Sequence, residues 1–427
     1  VAAEVLLQCG TLTGLLGGLN VSGAQERAKD LLTEAAREFQ SQGNYQKASE
    51  AQCELGACYW RLGAHDDARV IMREALKPLT ESDVELKARI HIRRTLVEIS
   101  ENRYHEALNI LKDAEPVFES ANDALKGRWH GQKALVLDML ATAERNAGLH
   151  DHAIVEYTAA IYHYERAKHE RYCARNLNNL AMLFYKLGRY REAHEQLDRA
   201  QVIFTSLRDA GSLAQVDETR ARVLIAERKY REANRILALA VQTFEQGGES
   251  ALLADALTLR GVVWARLGDY DASAAVLRRA ADMAERLGAQ SNAGLAVLAF
   301  IEEHGERRMF PAEEIYEAYR RADSLLKDTQ DAGDVARLRA CAQLVMRRLT
   351  GLRLHDKDFT FYGAVHELEA KLIEDALEEA GGSLVRAARL LGLKHQTLAS
   401  MLQTRHRELM GKRTPREKRL RSIIKKE

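Results

Sequence analysis

A chain of 427 residues, 46% hydrophobic, 29% charged and with only four prolines, can bury a sizeable core as two or three domains or as one extended repeat array. Its composition favours long helices and argues against a β-rich fold. The formal charge of +1 hides an asymmetry: residues 405–427 carry ten Lys or Arg against three Glu, so the basic character gathers at one end.

The first twenty residues are apolar but include four glycines and no basic flank, and they fall short of the roughly 20 apolar residues of a membrane span. Neither an export signal nor a membrane anchor is expected. Residue 1 is Val rather than Met, so the chain reads as a fragment or a processed product, with room for an upstream domain. The five cysteines, Cys9, Cys53, Cys58, Cys173 and Cys341, have no C-x-x-C spacing; they read as small buried hydrophobes with reduced thiols in a cytoplasmic protein.

A ladder then runs down the chain. Ala28, Ala68, Ala107, Ala153, Ala193, Ala233 and Ser273 are spaced by 40, 39, 46, 40, 40 and 40 residues, a period that signals stacked repeats. Four residues after each rung stands a large side chain, Leu32, Met72, Leu111, Tyr157, Leu197, Leu237 or Leu277. Seven residues after it stands Ala35, Ala75, Ala114, Ala160, Ala200, Ala240 or Ala280. Positions i, i+4 and i+7 share one helical face, so each rung marks a second helix with a small–large–small stripe that a neighbour can approach closely. Twelve residues before six of the rungs sits a further small residue, Gly56, Thr95, Ala141, Ala181, Ala221 or Gly261, on the first helix of the pair. Turns such as Gly188-Arg189-Tyr190 and Gly268-Asp269-Tyr270, with Tyr104 and Tyr230 in the same place, separate the two helices. The long interval between Ala107 and Ala153, with Pro116 inside it, predicts a longer or kinked element.

The order Leu55, Gly56, Tyr59, Ala68, Met72, Ala75 resembles the tetratricopeptide repeat. The resemblance implies an all-α, right-handed superhelix of about seven helix pairs over residues 1–285, its first repeat truncated at the start, with degenerate capping helices over 286–350. A period near 40 resembles the long-repeat subfamily of peptide and protein receptors. Arg175, Asn176, Asn178 and Asn179 ahead of Leu180-Ala181 resemble the Asn-Asn-Leu-Ala stretch of kinesin-light-chain-like repeats, where asparagines bond the backbone of a bound peptide. A partner groove is therefore expected at Asp138, Arg145, Arg175, Asn178, Asn179, Tyr185, Glu218 and Arg222; each of these is equally readable as a solvated or inter-repeat polar group.

The register ends after Leu349, and residues 351–362 read as a linker. Val365, Leu368, Leu372, Ile373, Ala376 and Leu377 then form a helical apolar stripe ended by Gly381-Gly382, with Ser383 as the N-cap of a second helix to Leu391. Gly392 permits a sharp turn, Leu393 plugs the angle, and a third helix from about His395 buries Leu398 and Leu402. Gly-Gly-Ser, Ala387-Ala388, Leu391-Gly392-Leu393 and Thr397-Leu398 resemble the Fis-type helix-turn-helix of bacterial regulators, placed over 363–404. The resemblance implies a homodimer whose third helix presents Lys394, His395, Gln396, Ala399, Ser400 and Gln403 to DNA. His395, Ser400 and Met401 depart from the basic residues usual in such helices. Residues 405–427 form a basic tail in which Arg405, Arg407, Lys412 and Arg413 are candidates for phosphate contact.

No H-E-x-x-H, P-loop, G-x-G-x-x-G or G-x-S-x-G occurs, Gly10 to Gly18 lacks any phosphate-binding order, and His150-Asp151-His152 reads as an inter-helix turn rather than a metal site. No cofactor is expected. The reading is a non-enzymatic regulator that takes a peptide or protein in its repeat array and DNA on its C-terminal module; the rival is a scaffold whose terminal module only dimerises. An enzyme would require an upstream catalytic domain.

Overall fold

Small residues at fixed intervals let helices approach, and the resulting architecture is a stack of helical hairpins. The computed structural model describes residues 1–17, 23–247, 250–307, 309–329, 331–350 and 360–412, and among the described residues there is no strand. Seven pairs follow one another: α1 (Ala2–Gly17) with α2 (Ala24–Ser41), α3 (Tyr45–Arg61) with α4 (His65–Glu74), and α5 (Val84–Ser100) with α6 (Tyr104–Asp113) and the short α7 (Glu115–Glu119). Next come α8 (Asp123–Glu144) with α9 (Ala147–Arg166), α10 (Glu170–Lys186) with α11 (Tyr190–Ser206), α12 (Ala210–Ala226) with α13 (Tyr230–Gly247), and α14 (Ser250–Leu267) with α15 (Tyr270–Arg286). Helices α16 (Gln290–His304), α17 (Ala312–Leu325) and α18 (Ala332–Thr350) continue the chain. First helices also touch first helices, α1 to α3, α3 to α5, α10 to α12 and α12 to α14 among them, so one face of the stack is lined by them. Contacts divide the chain into two units, residues 1–304 with 317–341, and residues 305–316 with 342–427.

In the first unit every rung residue and its partners at +4 and +7 lie on a second helix or at its end, and none is more than 2% exposed. The large residue of the stripe fills the space that the small residue of the first helix leaves open. A Cβ on Gly56 would stand 2.6 Å from Met72 Cγ, and one on Gly261 only 2.4 Å from Leu277 Cγ, both inside van der Waals contact. Two further pairs use the same device outside the regular register: a Cβ on Gly10 would meet Leu32 Cγ at 2.7 Å, and one on Gly294 would meet Leu326 Cγ at 2.5 Å. Longer connections shift these glycines along the sequence, which hid them from a search at constant spacing.

The turns close by a repeated pair of backbone bonds. Arg189 N–H donates to Phe184 O at 2.8 Å and Gly188 N–H to Tyr185 O at 3.0 Å, with Gly188 at φ 71°, and Lys229 N–H donates to Leu224 O at 2.8 Å around Arg228 at φ 62°. Tyr104, Tyr190, Tyr230 and Tyr270 each begin a second helix. The long interval is both longer and broken: α8 has 22 residues, and Pro116 opens α7 just beyond the end of α6. In that pair the left-handed residue is Arg145, at φ 54°. Asn146 caps α9 early by accepting from Gly148 N–H at 3.1 Å, so His150, Asp151 and His152 lie inside α9 and not in an inter-helix turn.

In the second unit, α19 (Phe361–Glu379), α20 (Leu384–Leu390) and α21 (His395–Thr404), with a 3-10 turn at Arg407–Lys412, share a core of Ile373, Ala376, Leu377, Ala387, Ala388, Leu398, Leu402 and Leu409. Gly381 and Gly382, at φ 60° and 77°, turn the chain out of α19, and Gly392, at φ 66°, turns it out of α20. Ser383 occupies the N-cap position, but its side chain makes no capping bond. Leu393 does not plug the angle: it is 38% exposed, and the partly buried Leu391 packs on the core instead. Val365, Leu368 and Leu372 are 37%, 46% and 50% exposed, because the buried face of α19 runs through Ile373, Ala376 and Leu377. The expected linker at 351–362 falls largely outside the described residues.

If the glycine of the first helix is what admits the large residue of the second, Gly261→Val should lower unfolding free energy by about 1–3 kcal/mol through overpacking. Urea unfolding monitored by circular dichroism checks this, and an unchanged midpoint would contradict the proposed fit.

Candidate functional site

The groove positions predicted from sequence lie on or beside first helices, but they do not form one free surface. Asp138 on α8 is 7% exposed, with Lys186 Nζ of α10 at 2.8 Å and His150 Nδ1 at 3.5 Å. Glu218 on α12 is 8% exposed and accepts from Arg222 one turn later, with 2.6 Å between Arg222 Nη2 and Glu218 Oε1. Burial pushes the Glu218 carboxyl above its ordinary range, against the pull of Arg222. Asp138 thus ties α8 to α9 and α10, whereas Glu218 is paired within α12. Asn176 is buried and donates back to Tyr172 O at 2.8 Å. Asn178 is half-buried, and its Oδ1 has no hydrogen-bond partner. Arg175 and Asn179 are exposed, and Tyr185 is half-buried with its ring 6.5 Å from that of Tyr190. Arg145 stands apart from the first-helix face, at the left-handed cap after α8.

Other polar links run between adjacent first helices: Arg89 to Glu50 at 3.1 Å, Arg93 to Glu54 at 2.7 Å, and Asn292, donating to Asp255, at 2.6 Å. Burial raises the Asp255 carboxyl, offset by that amide bond. Asp217, beside Glu218, escaped the sequence reading because its position on the neighbouring first helices holds Leu137 and Leu177; burial lifts its carboxyl to about 6, opposed by Arg220. Within the same unit a cavity of about 770 Å³ has the start of α6 and the end of α8 on one side, with Tyr104, Met139 and Glu144, and Asp328, Asp331 and Asp334 on the other. Sequence reasoning missed it because these two sides come from distant parts of the chain.

In the second unit, the buried Leu398 and Leu402 fix which face of α21 points outward, and Lys394, His395, Gln396, Ser400 and Gln403 are exposed while Ala399 is partly covered. Three of the expected phosphate contacts are engaged within the module. Arg405 Nη1 lies 3.4 Å from Glu369, and Lys412 pairs with Glu374 and, at 2.6 Å, with Glu378. Arg407 donates through Nε to Gln403 O at 2.7 Å. The fully buried His406 sits 3.3 Å from Glu369 with its ring tilted against that of His366, and its hydrogen bond helps hold the Glu369 carboxyl below the ordinary range. Arg413 and the rest of the basic tail lie outside the described residues. Arg386 and Arg389 on α20 are exposed cations that the sequence reading passed over. Their spacing on the short second helix was the available signal.

Residues 364–402 match the family model described as bacterial regulatory protein, Fis family, and residues 7–201, from α1 into α11, match that described as soluble NSF attachment protein, SNAP. A Rap protein complexed with competence and sporulation factor superposes with a TM-score of 0.50 at 18% identity, covering 86% of this chain and 100% of that one. The repeat unit has the tetratricopeptide-repeat fold, and the terminal module carries a Fis-type helix-turn-helix. The apo form of the quorum sensor NprR from B. thuringiensis superposes with a TM-score of 0.48 at 13% identity, covering 78% of this chain and 97% of that one. A signal transduction ATPase with a tetratricopeptide repeat sensor from Pyrococcus horikoshii superposes at 0.47 and 13% identity, over 82% and 53%. Identities this low speak for the fold alone. No curated protein matches the chain. Among the described residues of this repeat protein, no helix is long and apolar enough to cross a membrane, and no cluster of three metal-ligating side chains occurs.

Asp217 is expected to make the stability of the repeat array depend on pH. Its folded-state pKa, about 6, lies above the ordinary carboxylate value, so the stability linked to its proton is complete at low pH and lost as pH rises through that value. Asp217→Asn should reduce the fall in Tm between about pH 5 and about pH 7. Parallel Tm profiles for the parent and the variant would contradict the assignment.

Proposed function

We propose that this protein is a DNA-binding regulator of transcription whose repeat array receives a peptide or protein partner. The observation that carries the reading is the outward face of α21, where Lys394, His395, Gln396, Ser400 and Gln403 stand exposed on a helix whose opposite side is locked by Leu398 and Leu402, in the segment that matches the Fis family. Glutamine offers a donor and an acceptor to adenine in the major groove, and Lys394 at the start of the helix offers charge to phosphate. Arg386 and Arg389 add charge on the preceding helix. The receptor half draws support from the exposed Arg175 and Asn179 beside Asn178 on α10, and from a protein of like fold having been solved with competence and sporulation factor bound. Such a molecule works in the cytoplasm, with no cofactor and no catalytic step.

Homodimer formation belongs to the same proposal. Tyr362, Val365, Leu368 and Leu372 are 84%, 37%, 46% and 50% exposed at helical spacing on α19, an apolar stripe that a second copy would cover. One observation favours the rival scaffold: Arg405 and Lys412 are held by Glu369, Glu374 and Glu378, which leaves fewer cations for phosphate.

Mobility-shift titrations with genomic fragments, comparing the full chain with one lacking residues 355–427, decide between the two. Binding that survives the deletion refutes the assignment, and absence of binding by the full chain favours the scaffold. On a retained fragment, Gln396→Ala should cost about 1–3 kcal/mol of binding, and Lys394→Ala should lower the salt slope by about one. Leu368→Asp with Leu372→Asp should give a monomer in sedimentation and weaken DNA binding at equal protein concentration; a persistent dimer would remove α19 as the interface.

A further inference from the structure

The cavity in the repeat unit has an imbalance of charge between its walls. On the side formed by α6, α8 and α10 the charged groups already have partners. Lys186 holds Asp138 at 2.8 Å, His105 meets Glu144 at 2.6 Å, and Arg103 lies 3.6 Å from Glu98. On the opposite side Asp328, Asp331 and Asp334 face the hollow, and none has an ion pair among the described residues. Asp331 Oδ1 accepts the backbone N–H groups of Gly333 at 2.7 Å and Asp334 at 2.9 Å, which orders the start of α18 but leaves the negative charge uncompensated. Burial raises the Asp334 carboxyl and the neighbouring Asp331 adds to the rise, with Arg337 pulling the other way. The two walls also sense each other: burial pushes the Tyr104 hydroxyl up, and the charge of Asp331 pushes it further.

A hollow of about 770 Å³ falls within the range that small ligands and short peptide segments fill. Polar side chains, the apolar Met139 and one wall of unpaired carboxylates select a ligand with a cationic group on one side and neutral contacts on the other. We propose that the cavity is the seat of a cationic ligand segment, a Lys- or Arg-bearing peptide, whose positive group docks among Asp328, Asp331 and Asp334 while the rest lies against α6 and α8. This rests on the reading of the array as a receptor. Because the two walls come from segments far apart in sequence, the bound segment ties distant hairpins together and favours the curvature that brings them into register.

Fluorescence anisotropy of the full chain with labelled random peptide pools of matched length, carrying net positive, zero or net negative charge, tests the idea. The positive pool should bind about tenfold more tightly than the negative one. Asp328→Asn with Asp331→Asn and Asp334→Asn should abolish that preference while leaving binding of the neutral pool unchanged, since an asparagine side chain also caps a helix. Hydrogen exchange with the positive pool bound should slow in residues 102–106 and in 326–336 together. Equal binding of positive and neutral pools overturns the charge assignment and leaves the receptor reading standing. Protection of one wall alone overturns the bridging, and binding of no pool overturns both the inference and the receptor reading.

Discussion

Close approach of a first helix to the large side chain of its second helix is the constraint on which everything else in the repeat unit depends. Where Gly56 or Gly261 stands, a single added Cβ would collide with Met72 or Leu277, so backbone separation within a hairpin is set by one small residue. Alanine or threonine does the same work elsewhere, and the alanines at the ends of each stripe let the next hairpin settle at the same distance. Such a stack has no single centre, and each pair is buried only by its neighbours. Successive second helices carry their own repeated tie: Glu165 meets Arg199 at 3.0 Å and Glu245 meets Arg279 at 2.8 Å, in the same register. Exposed pairs of this kind add little energy, and it is the apolar stripe that holds the stack.

Much of this was legible from spacing, because sterics at a helix crossing leave a strict pattern. The second helices, the turns with tyrosine at the start of the next helix, and the break at Pro116 all follow from local rules. What escaped the reading escaped for physical reasons. Gly10 and Gly294 perform the same function at other spacings because their connections are longer. His150 to His152 entered α9 because Asn146 capped that helix early. The cavity depends on curvature accumulated over many hairpins, which no local pattern encodes.

The same division holds for the candidate sites. Periodicity finds which face of a helix is outward, so the exposed row on α21 could be named from Leu398 and Leu402 alone. It does not tell whether a charge is already engaged: Asp138 and Glu218, which are buried, and Arg405 and Lys412, which are exposed, all have partners. In the terminal module, the proposed DNA contact would thus draw charge more from Lys394, Arg386 and Arg389 than from the described part of the tail. The acidic residues of α19 hold Arg405, His406 and Lys412, which ties the 3-10 turn to the helix-turn-helix core.

Residue-resolved native-state hydrogen exchange tests the central claim most directly. A stack held hairpin by hairpin predicts protection that is lowest in the outer pairs, highest in the second helices around Ala153, Ala193 and Ala233, and independent of the protection of Ala387, Leu398 and Leu402 in the terminal module. A single opening free energy shared by all these amides would mean one cooperative globule and would contradict the account.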